Sequence, residues 1–506
     1  MVSVWPEMQH RAISSENLEV SGAAGRMADY VGVAVRVPGR LLTASDEFFK
    51  SVGYRMELQA QAYRTAFNEG LTDERAAARV YEILENPPEN VKRAAIDAAR
   101  YQTFTNSLRE TKIGTLGELG QFAEKARGSE HPAIRIPAKV ILPFIRTPTN
   151  IASYTLERTP LAALSKSFWT EINAGGARRD LAMGKLVTGS FIMGAAADMA
   201  LGGQITGGGP QNRDMKNILR EKGWQPYSLL INGKYYAYNR LDPVGAVIGL
   251  AADITEIIGQ LDEPDAIEMG IAGTIAVAQN LSSKTYLKGV TEFFDVMASI
   301  KAGEDVENIR AMNYIARMGT SLVPFTSALS TIERIVDPQL SSAFTYMDGV
   351  RARLPGMNED LPPRRNVFGE PIVLSGGIGL DNMAGIYTSE LTPDSIVDEI
   401  VAQKVGIPMP RRSISGVELD VYQYDRYIQL MSGKAGVGTP IKDQLRELFA
   451  DPNYQKLIRE DKQNQIRGIF NDAAASARAQ LIAEQPALRD AIEMNAYEEQ
   501  LKRAAY

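Results

Sequence analysis

Three apolar stretches, two of them carrying embedded acids, constrain this chain more than any other feature. Leu186–Gly203 (LVTGSFIMGAAADMALGG) holds one charge, Asp198. Val244–Leu261 (VGAVIGLAADITEIIGQL) holds Asp253 and Glu256, and Gly270–Leu281 (GIAGTIAVAQNL) holds none before its end. A carboxylate inside an apolar helix is costly unless it is paired or meets water. Each stretch therefore reads either as a core helix with one wet edge or as a helix that meets lipid. At about 1.5 Å per residue, Leu186–Leu201 spans roughly 24 Å, short of a hydrocarbon layer of about 30 Å. Such a run crosses a membrane only inside a bundle of copies. Gly184, Gly189, Gly194, Ala195, Ala196 and Ala197 would let helices approach closely in either setting. On the lipid reading, the membrane-facing residues are Leu186, Phe191, Ile192, Met193, Met199, Val247, Ile248 and Ile257. The embedded carboxylates are then Asp198, Asp253 and Glu256.

Around these stretches the pattern is helical. Residues 1–22 read as an irregular arm, with Trp5, Pro6 and Glu7 where a secretory signal would need a basic start. Ala44–Leu84 places Phe48, Phe49, Val52, Met56, Tyr63 and Phe67 at helical spacing. Thr72 suits an N-cap before Asp73 and Glu74, and Asn86-Pro87-Pro88 ends that helix. Gly114, Gly117, Gly120 and Gly128 then loosen the chain. Pro132, Pro137, Pro143, Pro148 and Pro160 forbid one long straight helix beyond them. Tyr227–Tyr238 (YSLLINGKYYAY) alternates about a central Asn232-Gly233, a strong hairpin signal. Arg351–Gly379 is rich in Pro, Gly and Arg and reads as a crossing segment or linker. Ile441–Tyr506 is amphipathic helix broken at Asp451-Pro452.

Several chemistries are excluded by what the chain lacks. With no cysteine it has no disulfide, thiolate metal site, iron–sulfur cluster or cysteine nucleophile. His10 and His131 are its only histidines, too few for a histidine metal cage, and no Gly-x-Ser-x-Gly turn accompanies either. Gly433–Thr439 (GKAGVGT) imitates a phosphate loop. However, Lys434 is followed by Ala435, no glycine precedes it at the required distance, and Tyr422–Met431 reads as helix, not strand. Glu57, Glu82, Glu110, Glu118 and Glu124 are explained by solvated helix faces, and nothing marks one of them as the acid of a sugar cleft. At 506 residues and a formal charge of −6, the chain is not a generally basic phosphate-coating protein. Arg146, Arg158, Arg178 and Arg179, and again Arg351, Arg353, Arg364 and Arg365, form local basic neighbourhoods that suit phosphates or ordinary solvated surface.

A series of short signatures runs through the central region. Pro143-Phe144-Ile145-Arg146-Thr147-Pro148-Thr149-Asn150 is followed by Glu157-Arg158-Thr159-Pro160. Then come Ile205-Thr206-Gly207-Gly208-Gly209-Pro210, Gly223-Trp224-Gln225-Pro226-Tyr227-Ser228 and Asp242-Pro243-Val244-Gly245. Pro362-Pro363-Arg364-Arg365-Asn366-Val367-Phe368-Gly369-Glu370-Pro371 completes the order. Over about residues 140–375 this resembles bacteriophage internal virion proteins, the core or DNA-ejection proteins, and the C-terminal module of large polyvalent phage proteins. The resemblance implies a structural virion protein packed above the portal inside the capsid. Such proteins are ejected ahead of the genome and help form a conduit through the host periplasm and inner membrane. The partners it implies are further copies of this chain, other core proteins, the portal, the host inner membrane and genomic DNA phosphates. It carries over no catalytic residue, metal or cofactor, so the expected chain is not an enzyme. A muramidase-like virion enzyme and a non-ejected portal plug are the alternatives.

The fold expected is mainly α, an elongated multi-segment helical protein with one small β-hairpin. Its segments are the arm 1–22, a helical N-terminal domain 23–130, an apolar central domain 131–340, the crossing segment 341–391 and a helical domain 392–506. Trp and Arg are enriched at interface hot spots. The interface anchors expected are Arg146, Trp224, Tyr227, Arg364 and Phe368.

Overall fold

The computed structural model describes residues 21–106, 150–259, 268, 272–273, 275–277, 279–280, 339–345, 348, 351–352, 357–373, 386–434 and 438–504. Arg146 and the arm 1–20 lie outside them. The architecture is mainly helical, with a small antiparallel strand set. The chain divides into two compact units, Met1–Ser190 with Leu281–Thr326, and Phe191–Asn280 with Ser327–Tyr506.

The first unit opens with α1 (Gly22–Asn68), α2 (Asp73–Glu85) and α3 (Glu89–Gln102). Thr72 occupies the N-cap of α2, with Asp73 and Glu74 in its first turn. Small residues set the contact distance. Ala62, Ala66 and Ala95 are almost fully enclosed among Leu58, Val80, Ile83 and Val91. A Cβ at Gly53 would come 2.5 Å from the Gln102 side chain, so α1 and α3 meet closely there. Beyond a 3-10 turn at Pro160–Leu164 come α4 (Lys166–Ala174) and α5 (Gly176–Leu201). A Cβ at Gly189 would strike the Arg158 carbonyl at 1.7 Å, so that helix face rests directly on backbone. Glu157 ties this region together, accepting from Lys185 Nζ at 2.8 Å and from the Tyr101 hydroxyl at 2.7 Å.

The second unit takes over within α5, and Ala196 joins Ile205, Tyr227, Tyr238, Ala251 and Ala252 in one cluster. The division therefore falls inside the expected central domain 131–340. The physical reason is that Gly189 is seated on Arg158, whereas Ala196 is seated on the two tyrosines. Next come α6 (Arg213–Glu221), β1 (Ser228–Ile231), β2 (Lys234–Ala237) and α7 (Val244–Ile258). Asn232 and Gly233 both adopt positive φ, 52° and 76°, as a type I′ hairpin turn requires. Ser228 faces Ala237 and Ile231 faces Lys234.

β3 (Thr388–Glu390) adds to the far side of β2, pairing Ser389 with Tyr235. Then follow α8 (Ser395–Ala402), the short hairpin β4 (Ser413–Ile414) and β5 (Val417–Glu418), α9 (Val421–Met431), α10 (Ile441–Ala450), α11 (Pro452–Gln455), α12 (Arg459–Glu484) and α13 (Pro486–Ala504). α11 starts at the expected Asp451-Pro452 break, with the Asp451 side chain capping Asn453. Asp420 caps α9 with a reciprocal Gln423 bond. The main core joins Ile396, Val397 and Ile400 of α8 to Tyr427, Leu430 and Met431 of α9, Leu445 of α10 and Ile466, Phe470 and Leu481 of α12. Val367 and Phe368 insert into the same core. The segment expected to cross as a linker thus contributes packing here, and Arg365 pairs with Asp425 at 2.7 Å.

Candidate functional site

Asp253 and Glu256 stand three residues apart on α7, on one helix face. The loop after α5 presents three successive glycine amides to them. Gly207 N–H donates to Glu256 Oε1 at 2.7 Å, Gly208 N–H to Asp253 Oδ1 at 2.6 Å and Gly209 N–H to Glu256 Oε2 at 2.9 Å. Successive amides of this kind form an anion-binding concavity, and here the anions are the chain's own side chains. The Tyr227 hydroxyl donates to Asp253 Oδ2 at 3.1 Å, and Gln279 Nε2 bridges Asp253 Oδ1 and the Gly209 carbonyl.

The glycines are required by space. A Cβ at 207 would lie 2.7 Å from Asp253 Oδ1, at 208 2.4 Å from Gln279 Nε2, and at 209 2.6 Å from the Trp224 ring. Gly209 also sits at φ 75°, a region that side chains disfavour. Tyr227 adopts φ 51°, held there by its bond to Asp253 and by its amide donating to the Gly207 carbonyl.

Burial sets the electrostatics. It pushes the Asp253 carboxyl up to about 7, against the opposing pull of the Gly208 amide. It also raises Glu256, against the Gly207 and Gly209 amides. Desolvation lowers Lys216, while the charges of Asp253 and Glu256 act the other way. Chemically, the arrangement is a clamp that fastens a tight loop to α7. Among the described residues no group of three or more Asp, Glu or His side chains could hold a metal ion.

The expected site residues separate into distinct environments. Val247 is 2% exposed and packed within its own unit, so it presents no surface to lipid. Met193, Met199 and Ile248 pack against the tyrosine cluster. Leu186, Ile192 and Ile257 are half-buried, and Phe191 is exposed. Asp253 is fully buried, Glu256 half-buried and Asp198 exposed. Among the described residues no helix is long and apolar enough to cross a membrane. In α5 the first turns carry Arg178, Arg179, Asp180 and Lys185, which shorten the apolar run.

Of the expected anchors, Phe368 is 2% exposed and belongs to the main core, so it is not available to a second subunit. Tyr227 is likewise internal, whereas Trp224 is half-buried against Gly209. Arg364 is exposed. Several of the basic neighbours are paired within the chain. Arg178 meets Glu171 at 2.7 Å, Arg351 meets Asp360 at 3.1 Å, and Arg158 lies over the Tyr154 ring.

Among the described residues α1 carries an extended exposed apolar face. Phe48, Phe49, Val52, Met56, Tyr63 and Phe67 carry the helical spacing visible in the sequence, yet all are exposed, Phe67 to 81%. The buried contacts of α1 run instead through Leu58, Ala62 and Ala66. Phe48, Val52, Met56, Gln59, Tyr63 and Phe67 advance in steps of four, four, three, four and four residues. That eleven-residue rhythm keeps one seam aligned between helices that supercoil right-handedly. Tyr30, also exposed, is in phase with Phe48.

Protein-family models, curated proteins and solved structures give no match to the chain. The functional reading therefore rests on this chain's own surfaces and on the order of its short signatures.

Proposed function

We propose that the chain is a structural subunit of a phage virion's internal core, working as a multi-copy assembly in genome delivery. The observation that carries this reading is the exposed aromatic and aliphatic seam of α1. At roughly 150–250 Å² per large aromatic side chain, the six exposed residues offer on the order of 700 Å² of apolar surface per copy. Two copies joined through it would bury about 1,400 Å², the size of a standard specific interface. Contiguous apolar patches larger than a few hundred Å² mark interaction sites.

The setting comes from the resemblance over residues 140–375, which names other core proteins and the portal as further partners. On this reading no residue is catalytic. Any passage through the host envelope is lined by several copies together, since no described helix spans a bilayer alone. Quantitative mass spectrometry of particles carrying this chain, before and after DNA release, tests the proposal. Multiple copies in intact particles and their loss on release are expected. Retention after release would make it a portal plug, and absence from particles would overturn the reading.

A further inference from the structure

A second site lies at the C-terminal end of the second unit, away from the glycine clamp in sequence and chemistry. A cleft of about 770 Å³ opens between the run Gly406–Gly416 and helices α9 and α12. Its apolar walls include Ile407, Met409, Tyr427, Met431 and Phe470. Its charged side chains are three arginines, Arg411, Arg467 and Arg478, and no carboxylate lines it.

Three observations mark the cleft as built for an anion. The chain carries 61 Asp and Glu against 55 Lys and Arg, yet every charged side chain that lines the cleft is an arginine. Several arginines elsewhere in the chain have carboxylate partners, as Arg79, Arg365 and Arg426 do. Arg411, Arg467 and Arg478 form no such ion pair among the described residues. Finally, Arg467, Asn471, Ala474 and Arg478 advance in steps of four, three and four along α12, which puts them on one helix face. An arginine fork matches a carboxylate in a two-bond geometry, and pairs of this kind give specificity as well as attraction.

The spacing limits the occupant. Arg467 and Arg478 are eleven residues apart, about 16 Å along the helix axis. An extended peptide advances about 3.3 Å per residue, so roughly five residues cover that distance. A cleft of this size holds a short segment and not a folded surface. We propose that this cleft binds an extended acidic peptide segment of a partner protein. Two of its carboxylates, about five residues apart, would meet Arg467 and Arg478, and Arg411 would supply charge from the facing wall. Apolar side chains between the acids would enter the floor made by Met409, Met431 and Phe470. This inference is independent of the α1 seam and of the virion setting.

Fluorescence anisotropy on the full chain tests it, with a labelled peptide Glu-Ala-Leu-Met-Ala-Glu, its Gln-for-Glu twin, and a ten-nucleotide oligothymidylate. The acidic peptide is expected to bind at least tenfold more tightly than the twin, and to weaken as salt rises. Arg467→Ala with Arg478→Ala should lower its affinity at least tenfold without changing far-ultraviolet circular dichroism, because both side chains are exposed. Charge reversal, Arg467→Glu with Arg478→Glu, should transfer binding to a Lys-Ala-Leu-Met-Ala-Lys peptide, a readout that misfolding cannot produce. Equal binding of acidic peptide and twin would overturn the proposal in favour of a merely apolar groove. Binding of the oligonucleotide alone would overturn it in favour of a phosphate site, and so would binding of no probe at all.

Discussion

Replacing Gly208 with alanine tests the glycine clamp with one methyl group. Gly208 lies outside the left-handed backbone region, so the substitution adds no φ strain. The new Cβ would sit 2.4 Å from Gln279 Nε2 and 2.7 Å from the Tyr227 hydroxyl. Tyr227 is 5% exposed and bonded to Asp253, so it cannot swing aside without breaking that bond. Overpacking of this kind costs about 1–3 kcal/mol. If the loop moves instead, the bond from the Gly208 amide to Asp253 is lost, and hydrogen bonds to charged groups contribute about 1.5–3 kcal/mol. We expect Gly208→Ala to destabilise the second unit by about 1–3 kcal/mol, by whichever route is cheaper. Urea denaturation followed by circular dichroism and tryptophan fluorescence reads this out, with Trp224 stacked on the adjacent Gly209 as a local reporter. Gln279→Ala removes the nearest obstacle, so the double variant should cost at least about 1 kcal/mol less than the sum of the single changes. A loss below about 1 kcal/mol for Gly208→Ala, or strict additivity with Gln279→Ala, would refute the reasoning.

The buried acids give the second unit an unusual pH dependence. Burial raises Asp253, Glu256 and Glu221 above their ordinary values, so the folded state holds protons that the unfolded chain releases. The contribution of Asp253 and Glu221 is complete below pH about 4 and is lost as pH rises through about 7, and Glu256 acts in the same direction. Against the pull of desolvation, Asp394 is held low by the Val397 amide and Lys442, and Glu370 by Asn366 and Lys442, so both work oppositely and lose their contribution as pH falls into the acid range. Stability measured by urea denaturation should therefore peak near pH 5 and fall toward pH 8. Asp253→Asn should flatten that fall. A carboxyl moved from 3.8 to about 7 is worth on the order of 4 kcal/mol across the interval. An unchanged slope in the Asn variant would show that Asp253 does not titrate between those limits.

How far sequence reading reaches depends on whether a feature is local. The Asn232-Gly233 hairpin is legible because both residues favour the positive φ that a type I′ turn needs. β3 is not, because its pairing with β2 joins positions some 150 residues apart through backbone groups that every residue carries. The Asp451-Pro452 break and the N-cap position at Thr72 are equally local and fall where expected. The period of α1 is visible, but not which face packs. Large apolar side chains dominate the pattern, whereas Ala62, Ala66 and Ala95 are among the most deeply buried.

The clamp was half legible. Asp253 and Glu256 stand out as costly acids in an apolar helix, while their partners are backbone amides with no residue signature except that three consecutive positions are glycine. The assignment of Val247 to a lipid-facing surface fails for a related reason. An apolar helix crossing a globular interior has the same composition as one that meets lipid, and Val247 lies on the interior side.

Sedimentation equilibrium of the full chain, beside Phe49→Glu with Phe67→Glu, bears most directly on the central claim. The wild-type chain should associate at micromolar concentration. The double variant should sediment as a monomer with unchanged circular dichroism, since both side chains are already exposed. A wild-type chain that stays monomeric at every concentration, or a variant that associates as the wild type does, would contradict the account.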